Sequence, residues 1–346
     1  MNNQLGNSSF ITSSRFRDFA TYIFAENIDQ NDFNNLDQND CDIVYVSDKK
    51  EHFSLIYKKN ELRIKSNSVI FCHTDYVDEF FSLIKKNSSL NNLILITSQS
   101  DKSINKKLLL RKPESISKWF AINSEIDFEN LTNIPLGLGN SFSKKNINLE
   151  DLDSLDKSSF IKEDISMLIN FNVNTNFDIR NQLVENYKSK SWCNYKTNLS
   201  KNSYIEMIKN SSFILCPPGN GPDTHRIWES LYLGSIPVVQ KHNCFKGFED
   251  LPILFVDDLN SVSLDLLEQF MQRLKHKNID LNKIDINYWR ALVFNNVSQK
   301  NEDIEYIIKF NFIEKLYFSF KYFFKIKFMK IKKRYSNLLR RLKKIT

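Results

Sequence analysis

Short apolar runs and amphipathic segments alternate along most of the chain. A continuous apolar run between polar residues is typical of a buried strand, and apolar positions that recur every three or four residues are typical of a helix. Residues 1–40 have no firm periodicity. Strands that alternate with helices predict an α/β protein with a parallel sheet. Beyond residue 40 the pattern predicts strands at 43–46, 69–72 and 93–97, a strand pair within 52–64 and a helix at 76–84.

A change in composition near residue 140 predicts a boundary between two domains. Residues 134–140, with the sequence IPLGLGN, form a predicted loop, and residues 141–160 are polar. We therefore predict an N-terminal domain at 1–155, a C-terminal domain at 156–300 and a tail at 301–346. A length of 346 residues is consistent with two domains of about 150 residues each. In the second domain the pattern predicts strands at 167–171, 213–216, 236–239 and 253–256 and helices at 178–187, 203–209 and 262–274.

The composition is that of a folded protein, with 41% hydrophobic and 13% aromatic residues. The five cysteines are scattered and none form a CxxC pair, so we expect a reducing compartment and neither a zinc site nor a disulfide framework. The first ten residues, MNNQLGNSSF, lack the pattern of a signal peptide, and no stretch of about 18 residues is free of charge. We therefore expect a cytoplasmic protein without a membrane-spanning helix.

The net charge of +7 is distributed unevenly. Residues 309–346 contain ten Lys, three Arg and one acidic residue, a local net charge of +12 that leaves −5 for the first 308 residues. A basic amphipathic helix in this tail predicts binding to the headgroup region of an anionic membrane. The alternatives are packing on the N-terminal domain and, least favoured, binding to nucleic acid. The apolar positions at near-helical spacing are Ile313, Leu316, Tyr317, Phe320, Phe324 and Ile331.

Glycine and proline are concentrated in one segment of the C-terminal domain. The chain has seven of each, and four glycines and four prolines fall within residues 217–247. The two prolines that open this segment cannot continue the hydrogen bonds of the predicted strand before them. Gly219 and Gly221 can adopt positive φ and leave their amide groups open to a ligand. Asp223 or Thr224 then caps a predicted helix, whose N-terminus favours an anion such as a diphosphate.

Helical geometry divides the residues of this predicted helix into two faces. At about 100° per residue, His225, Arg226 and Glu229 share one polar arc. In the first turn the charge of Arg226 opposes the helix dipole unless an anion meets it, and the carboxylate of Glu229 could bind ribose hydroxyls. Gly234 is predicted to end the helix. The opposite arc is apolar and predicted to be buried, with Ile227, Trp228, Leu231 and Tyr232.

The alternative for this helix is an ordinary solvated one. Arg226 and Glu229 would then form an i,i+3 ion pair, and the glycines would serve only as turn formers. The loop contains neither GxGxxG nor GxxxxGK[ST], so neither dinucleotide binding nor ATP hydrolysis is indicated.

The segment resembles the C-terminal signature of exostosin-like glycosyltransferases (family 47), especially their ribitol-xylosyltransferase-like branch. In that signature a strand leads into a Pro-Gly-Asn-Gly loop, then Asp, His, Arg, Trp-Glu and Leu-Gly-x-Ile-Pro-Val. The resemblance is strong over 211–240 and looser over 120–275, and Pro218 stands where many relatives have an arginine. The matching residues are Pro218, Gly219, Asn220, Gly221, Asp223, His225, Arg226, Trp228, Glu229, Leu233, Gly234, Ile236, Pro237 and Val238.

The resemblance implies a GT-B fold, in which two Rossmann-like domains face each other across a cleft and the C-terminal domain holds the nucleotide. It implies inverting, metal-independent transfer of a sugar from a nucleotide donor, expected to be UDP-linked, with no separate cofactor. The N-terminal domain would bind the acceptor, which we expect to be a cell-surface glycan precursor for capsule, O-antigen or a related polysaccharide. The donor would be bound by Gly219, Asn220, Gly221, Asp223, His225, Arg226, Glu229 and Arg180.

An inverting transfer also needs a base that takes the proton of the acceptor hydroxyl. In a two-domain cleft we expect this base in a strand-end loop of the N-terminal domain, where the candidates are His73, Asp75 and Asp101. We favour Asp101, which follows the predicted strand at 93–97. The alternative function is a non-catalytic, membrane-associated protein that binds nucleotide sugars, and a less favoured one is a nucleic-acid-binding protein that acts through its tail.

Overall fold

The computed structural model describes residues 4–37, 41–47, 52–57, 61–140, 146–297 and 304–310, and single positions between 313 and 327. Within these residues the chain is a mixed α/β protein. Its strands are β1 (Gln4–Leu5), β2 (Tyr22–Asp29), β3 (Asp42–Val46), β4 (His52–Ile56), β5 (Glu61–Lys65), β6 (Val69–His73), β7 (Leu93–Ser98), β8 (Ile116–Ala121), β9 (Leu131–Asn133), β10 (Leu155–Asp156), β11 (Met167–Ile169), β12 (Cys193–Tyr195), β13 (Phe213–Leu215), β14 (Ile236–Gln240), β15 (Leu254–Val256) and β16 (Glu305–Lys309). Its helices are α1 (Ser13–Arg17), α2 (Gln30–Asn34), α3 (Val77–Ile84), α4 (Lys106–Leu109), α5 (Phe177–Tyr187), α6 (Lys201–Asn210), α7 (His225–Tyr232), α8 (Leu264–Lys275) and α9 (Ile286–Phe294).

The first large sheet has seven strands in the order β3-β4-β2-β6-β7-β8-β9. The strands from β2 to β9 in this order are parallel, and β3 and β4 add an antiparallel edge. Every residue of β6 and β7 is buried. A parallel strand that is covered on both faces has a continuous apolar sequence, which is why the apolar runs at 69–72 and 93–97 predicted these two strands correctly.

The second large sheet has five parallel strands in the order β12-β11-β13-β14-β15. The chain passes from β11 to β12 on one side and returns to β13 on the other side. The strand order therefore reverses between β11 and β13. In open α/β sheets a ligand binds outside the carboxyl ends of the strands at such a reversal. The loops that follow β11 and β13 are therefore the expected position of a ligand site.

No strand was predicted within residues 1–40, because their sequence has no firm periodicity. The structure has a strand there, β2, which is a central strand of the first sheet. The strand was obscured because its sequence contains Glu26, a charged residue that is only 2% exposed. The carboxylate of Glu26 accepts hydrogen bonds from Arg17 Nη1 at 2.8 Å and from the Tyr57 hydroxyl at 2.8 Å. A buried charge with such partners is tolerated in a strand, but it interrupts the apolar run on which the prediction depends.

The two strands predicted within 52–64 are present, but they pair with other partners. Strand β4 pairs with β2 and β3, whereas β5 pairs with β16 in a separate two-stranded sheet. Strand β16 lies at the start of the predicted tail. Because it pairs with β5, this part of the tail contacts the N-terminal part of the chain. Beyond it, the described tail positions 313, 314, 316, 317, 320, 324 and 327 are helical. The rest of the tail prediction, including Ile331, lies outside the described residues.

Within the described part of the chain, no helix is long and apolar enough to span a bilayer.

The largest hydrophobic cluster unites the two large sheets and the N-terminal residues. Phe10 stacks against Tyr232 with a centroid distance of 4.2 Å. The Tyr232 hydroxyl accepts a hydrogen bond from the Ile11 amide at 2.8 Å and donates one to the Ile284 carbonyl at 2.8 Å. Residues near the N-terminus are thereby fixed to the C-terminal sheet, so the two halves of the chain are held together by buried contacts.

We expect Tyr232→Phe to lower the free energy of unfolding by about 1–3 kcal/mol, because it leaves a buried amide and a buried carbonyl without their partner. Urea denaturation measures this change. Tyr288→Phe removes the same atom where the hydroxyl has no hydrogen bond within the described residues, and should change stability by less than about 0.5 kcal/mol. Equal losses in the two variants would contradict the prediction.

Candidate active site

A cavity of about 480 Å³ lies between the carboxyl ends of the two large sheets. It occupies the position that the reversal between β11 and β13 indicates. The N-terminal sheet contributes residues from the ends of β2 and β7, and the C-terminal sheet contributes the loops after β11 and β13. The lining residues are Asn27, Gln99, Ser100, Asp101, Leu136, Asn140, Asn146, Asn172, Thr175, Arg180, Gly219, Asn220, Gly221, Asp223, Thr224, His225, Arg226 and Glu229.

The two glycines of the loop after β13 permit close approach of other side chains. A Cβ at Gly219 would lie 3.3 Å from Nη2 of Arg180, and a Cβ at Gly221 would lie 3.1 Å from Nδ2 of Asn123. Neither glycine has positive φ, so the loop does not use the freedom that the sequence offered. A Cβ at either position would crowd the neighbouring side chains, which would have to shift slightly to accommodate it.

The residue before helix α7 is Thr224, in an extended conformation, but its side chain makes no capping hydrogen bond. Asp223 instead connects the loop to its surroundings. Its carboxylate accepts hydrogen bonds from Trp228 Nε1 at 2.7 Å and from the Leu136 amide at 2.9 Å. Burial raises the pKa of Asp223 to about 7, although these hydrogen bonds act in the opposite direction. Asp223 therefore lines the cavity, and its oxygens link the loop after β13 to Leu136 and Trp228.

Helix α7 has the predicted buried face, with Ile227, Trp228 and Leu231 fully buried. Glu229 is also buried, at 4% exposure, so the alternative of a solvated helix is wrong. Its two carboxylate oxygens accept hydrogen bonds from the Tyr204 hydroxyl at 3.1 Å and from a backbone amide at 3.4 Å. Each oxygen retains a lone pair for a further donor. The helix ends as predicted at Gly234, which has a φ of 72°.

Two arginines stand side by side at the cavity wall. Arg180 is 4% exposed and donates to the carbonyls of Asn172, Pro217 and Pro218 at 2.8, 3.3 and 3.0 Å. Its guanidinium lies 5.4 Å from the ring centre of Phe171, and the Arg226 guanidinium lies 6.0 Å from the same ring. Burial and the nearby Arg226 charge lower the pKa of Arg180 to about 10. The site therefore concentrates positive charge.

That charge is only partly offset by the protein. Among the described residues, no carboxylate lies within ion-pair distance of Arg180 or Arg226, although the Glu229 carboxylate on the same helix acts to raise the pKa of Arg226. Nε of Arg226 is buried and has no hydrogen-bond partner. A buried donor without a partner costs about 1–3 kcal/mol, and two neighbouring cations repel each other. Both costs would be relieved by an anion in the cavity.

His225 is the first residue of α7, and its ring is oriented by the segment that connects the two halves. Nδ1 lies 2.7 Å from the carbonyl oxygen of Gly137. A carbonyl oxygen can only accept, so Nδ1 carries the hydrogen and Nε2 is the basic nitrogen of the neutral ring. Among the described residues, Nε2 has no hydrogen-bond partner.

Hydrogen bonds cross the cleft beside the glycine loop. Nδ2 of Asn220 donates to Oδ2 of Asp101 at 3.1 Å. The Asn123 side chain donates to the carbonyl of Ser100 at 3.3 Å and accepts from the amide of Asp223 at 3.2 Å. The loops of the N-terminal sheet and the loop after β13 thus form one continuous wall.

The sequence of residues 166–331 matches a family model, the RXYLT1 C-terminal domain. The C-terminal half of the chain carries a ribitol-xylosyltransferase-like, exostosin-family signature. A domain of this kind indicates a glycosyltransferase. No curated protein matches the chain.

The RXYLT1-like domain contributes all eight residues that the sequence predicted for donor binding, and all eight line the cavity. Of the three predicted bases, only Asp101 lines it, and it does so as an exposed side chain. Asp75 accepts a hydrogen bond from the Ser100 hydroxyl at 2.6 Å, and Nδ1 of His73 accepts one from the Asp75 amide at 3.2 Å. Asp75 contacts Ser100, which lines the cavity, but neither Asp75 nor His73 lines it, and all three roles stay predictions.

Sequence reasoning missed several residues of the wall beside the RXYLT1-like domain. Asn27 lies in the unpredicted strand β2, and Asn123 follows β8 at the carboxyl end of the sheet. A polar residue directly after a buried strand was the signal available for Asn123. Phe171 and Tyr204, the aromatic neighbours of Arg226, had no signal because their positions fit an ordinary core.

Within the described residues, no group of three or more His, Cys, Asp and Glu side chains could hold a metal ion.

Asp223→Asn should remove one component of the pH dependence of stability. Because the pKa of Asp223 is raised to about 7 from 3.8, its stabilising contribution is full below about pH 4 and is lost as the pH rises through 7. The free energy of unfolding of the wild type, relative to the variant, should fall by about 1.4 kcal/mol per pH unit between pH 5 and 6. Urea denaturation at several pH values measures this difference. Parallel profiles for the two proteins would contradict it.

Proposed function

We propose that the protein is an inverting glycosyltransferase that moves a sugar from a UDP-linked donor to a glycan acceptor. The observation that carries this proposal is the pair of guanidinium groups, Arg180 and Arg226, that stand at the cavity without a carboxylate partner among the described residues. A diphosphate is the ligand that this concentration of positive charge fits best, because planar guanidinium groups bind phosphate oxygens in pairs.

The donor would lie with its diphosphate between the two guanidinium groups and the start of α7, whose first amides point towards an anion. Gly219 and Gly221 line the cavity and leave room for the Arg180 and Asn123 side chains. The uridine ribose would lie towards Glu229, which retains lone pairs for its hydroxyls. The predicted roles of Asn220, Asp223 and His225 at the donor remain part of this proposal, with His225 beside the transferred sugar rather than the UDP moiety.

In the transfer step, an oxygen of the acceptor forms a bond to the anomeric carbon while the bond from that carbon to the diphosphate breaks. The bonding electrons leave with the diphosphate, whose negative charge increases. Arg226 and Arg180 would stabilise this developing charge from fixed positions, which is the usual way in which such a step is accelerated. We propose that this pair supplies the charge neutralisation without a metal ion.

The arrangement of the two sheets supports a GT-B fold for this enzyme. Their strands present carboxyl ends to a common cavity, the position in which two Rossmann-like domains would share a donor and an acceptor. Residues 1–155 would then bind the acceptor and residues 156–300 the donor. Asn27, Gln99 and Asp101, which line the cavity from the N-terminal sheet, would lie on the acceptor side.

We expect Arg226→Ala and Arg180→Ala each to weaken UDP binding by about ten- to a hundredfold, since a hydrogen bond to a charged group contributes about 1.5–3 kcal/mol. Glu229→Ala should weaken UDP binding but leave the affinity for inorganic diphosphate nearly unchanged, because Glu229 is assigned to the ribose. Isothermal titration calorimetry with UDP and with diphosphate measures both effects.

Arg290→Ala is the matched control, because Arg290 is an exposed arginine away from the cavity. It should bind UDP as the wild type does. If the wild type binds no nucleotide from a panel of UDP, GDP and CMP sugars, or if the two arginine variants bind UDP normally, the proposal is wrong. Donor binding without any turnover would favour the non-catalytic alternative.

We also propose that the tail binds an anionic membrane surface, where a lipid-linked precursor of a cell-surface glycan would be the acceptor. The observation that favours this is the exposure of the apolar positions in the described part of the tail helix. Four of them, at spacings typical of one helical face, are 77% (Ile313), 61% (Tyr317), 57% (Phe320) and 61% (Phe324) exposed. The sequence of residues 309–346 contains basic residues throughout. A location at the cytoplasmic face of a membrane follows from this proposal.

Phe320→Ser combined with Phe324→Ser should reduce binding to vesicles of phosphatidylserine and phosphatidylcholine at least tenfold, because burial of each ring contributes about 1.5–3 kcal/mol. Cosedimentation of the full chain measures it. Leu110→Ser, at a position that is 77% exposed on the body, should have no effect. Equal binding by all variants, or salt-sensitive binding to DNA in place of vesicles, would contradict the proposal.

A further inference from the structure

His225 has one ring nitrogen engaged by the protein and one available to the cavity. Nδ1 donates to the carbonyl of Gly137 at 2.7 Å, which fixes both the orientation of the ring and its tautomer. Nε2 is on the opposite side of the ring and is the proton-accepting nitrogen. A histidine that is oriented by a hydrogen bond from its other nitrogen is a common arrangement for a general base.

The carboxylates of the cavity are less suited to take a proton. Both oxygens of Asp223 accept hydrogen bonds from buried donors, and so do both oxygens of Glu229. Asp101 is exposed and accepts a hydrogen bond from Asn220. Burial raises the pKa of Asp223 to about 7, but both of its oxygens are occupied, whereas Nε2 of His225 has no hydrogen-bond partner among the described residues. Histidine is also the side chain that most often serves as a general base. The charged groups that share the cavity with His225 are Arg180, Arg226, Asp101, Asp223 and Glu229.

We propose that Nε2 of His225 is the base that deprotonates the acceptor hydroxyl, an inference that rests on the glycosyltransferase function proposed above. The hydroxyl proton passes to Nε2 while the hydroxyl oxygen bonds to the anomeric carbon. The bond from that carbon to the diphosphate breaks, and its electron pair leaves with the UDP beside Arg226. The imidazolium formed is stabilised in place by the Gly137 carbonyl. The base thus comes from the same helix as the main diphosphate contact.

His225→Asn tests this role, because the asparagine amide can still donate to the Gly137 carbonyl but cannot accept a proton. The probe is a panel of UDP-sugars, and the measured reactions are UDP binding by calorimetry and UDP release with water as acceptor. We expect the UDP dissociation constant to stay within about threefold of the wild type, while the rate of UDP release falls about 100- to 10 000-fold. The decline of the wild-type rate at low pH, where imidazole is protonated, should be absent in the variant.

Three further variants distinguish a base at His225 from a structural role of this residue and from a base at Asp101. His276→Asn, at an exposed histidine outside the cavity, should behave as the wild type. His225→Ala should regain activity when free imidazole is added, which a purely structural role would not produce. Asp101→Asn should lose less activity than His225→Asn.

Normal UDP release by His225→Asn, an unchanged decline at low pH, or a larger loss in Asp101→Asn would each overturn the inference. The last result would assign the base to Asp101 and leave the glycosyltransferase function intact. If the wild type neither binds UDP nor releases it from any UDP-sugar, the proposed function fails, and this inference fails with it.

Discussion

Two hydrogen bonds join the start of helix α7 to the segment that connects the two sheets. Asp223 accepts from the amide of Leu136, and His225 donates to the carbonyl of Gly137. The connecting segment follows β9, the last strand of the N-terminal sheet, so these bonds hold the helix start at a fixed position relative to that sheet. They also fix the orientation of the Asp223 and His225 side chains, both of which line the cavity.

Around this junction two arginines lie close together, and among the described residues no carboxylate lies within ion-pair distance of either. The guanidinium groups of Arg180 and Arg226 lie against the ring of Phe171, and Arg180 is satisfied by carbonyl oxygens. Carbonyls and an aromatic face hold a cation in place and leave its full charge available. Two neighbouring cations repel each other, and groups whose pKa values are shifted in this way are common at functional sites.

The sequence predicted most of the elements that build the site, because each has a local signal. Buried parallel strands such as β6 and β7 are continuous apolar runs, and the apolar stripe of α7 has helical spacing. The prediction missed β2, since the buried Glu26 interrupts its apolar run. It also allowed positive φ at Gly219 and Gly221, which the structure does not use, and it could not show that Arg180 and Asn123 lie close to these glycines.

By itself the sequence determined the order and chemistry of residues 211–239: a strand, a glycine loop, and a helix with His225, Arg226 and Glu229 on one side. These features follow from neighbouring residues, whose spacing alone dictates which faces they share. Only the tertiary structure decided which nitrogen of His225 is available, and that Asp101 reaches the cavity while Asp75 does not. Those facts depend on contacts between residues about 90 to 120 positions apart in the chain, and no local periodicity records which distant segments fold together.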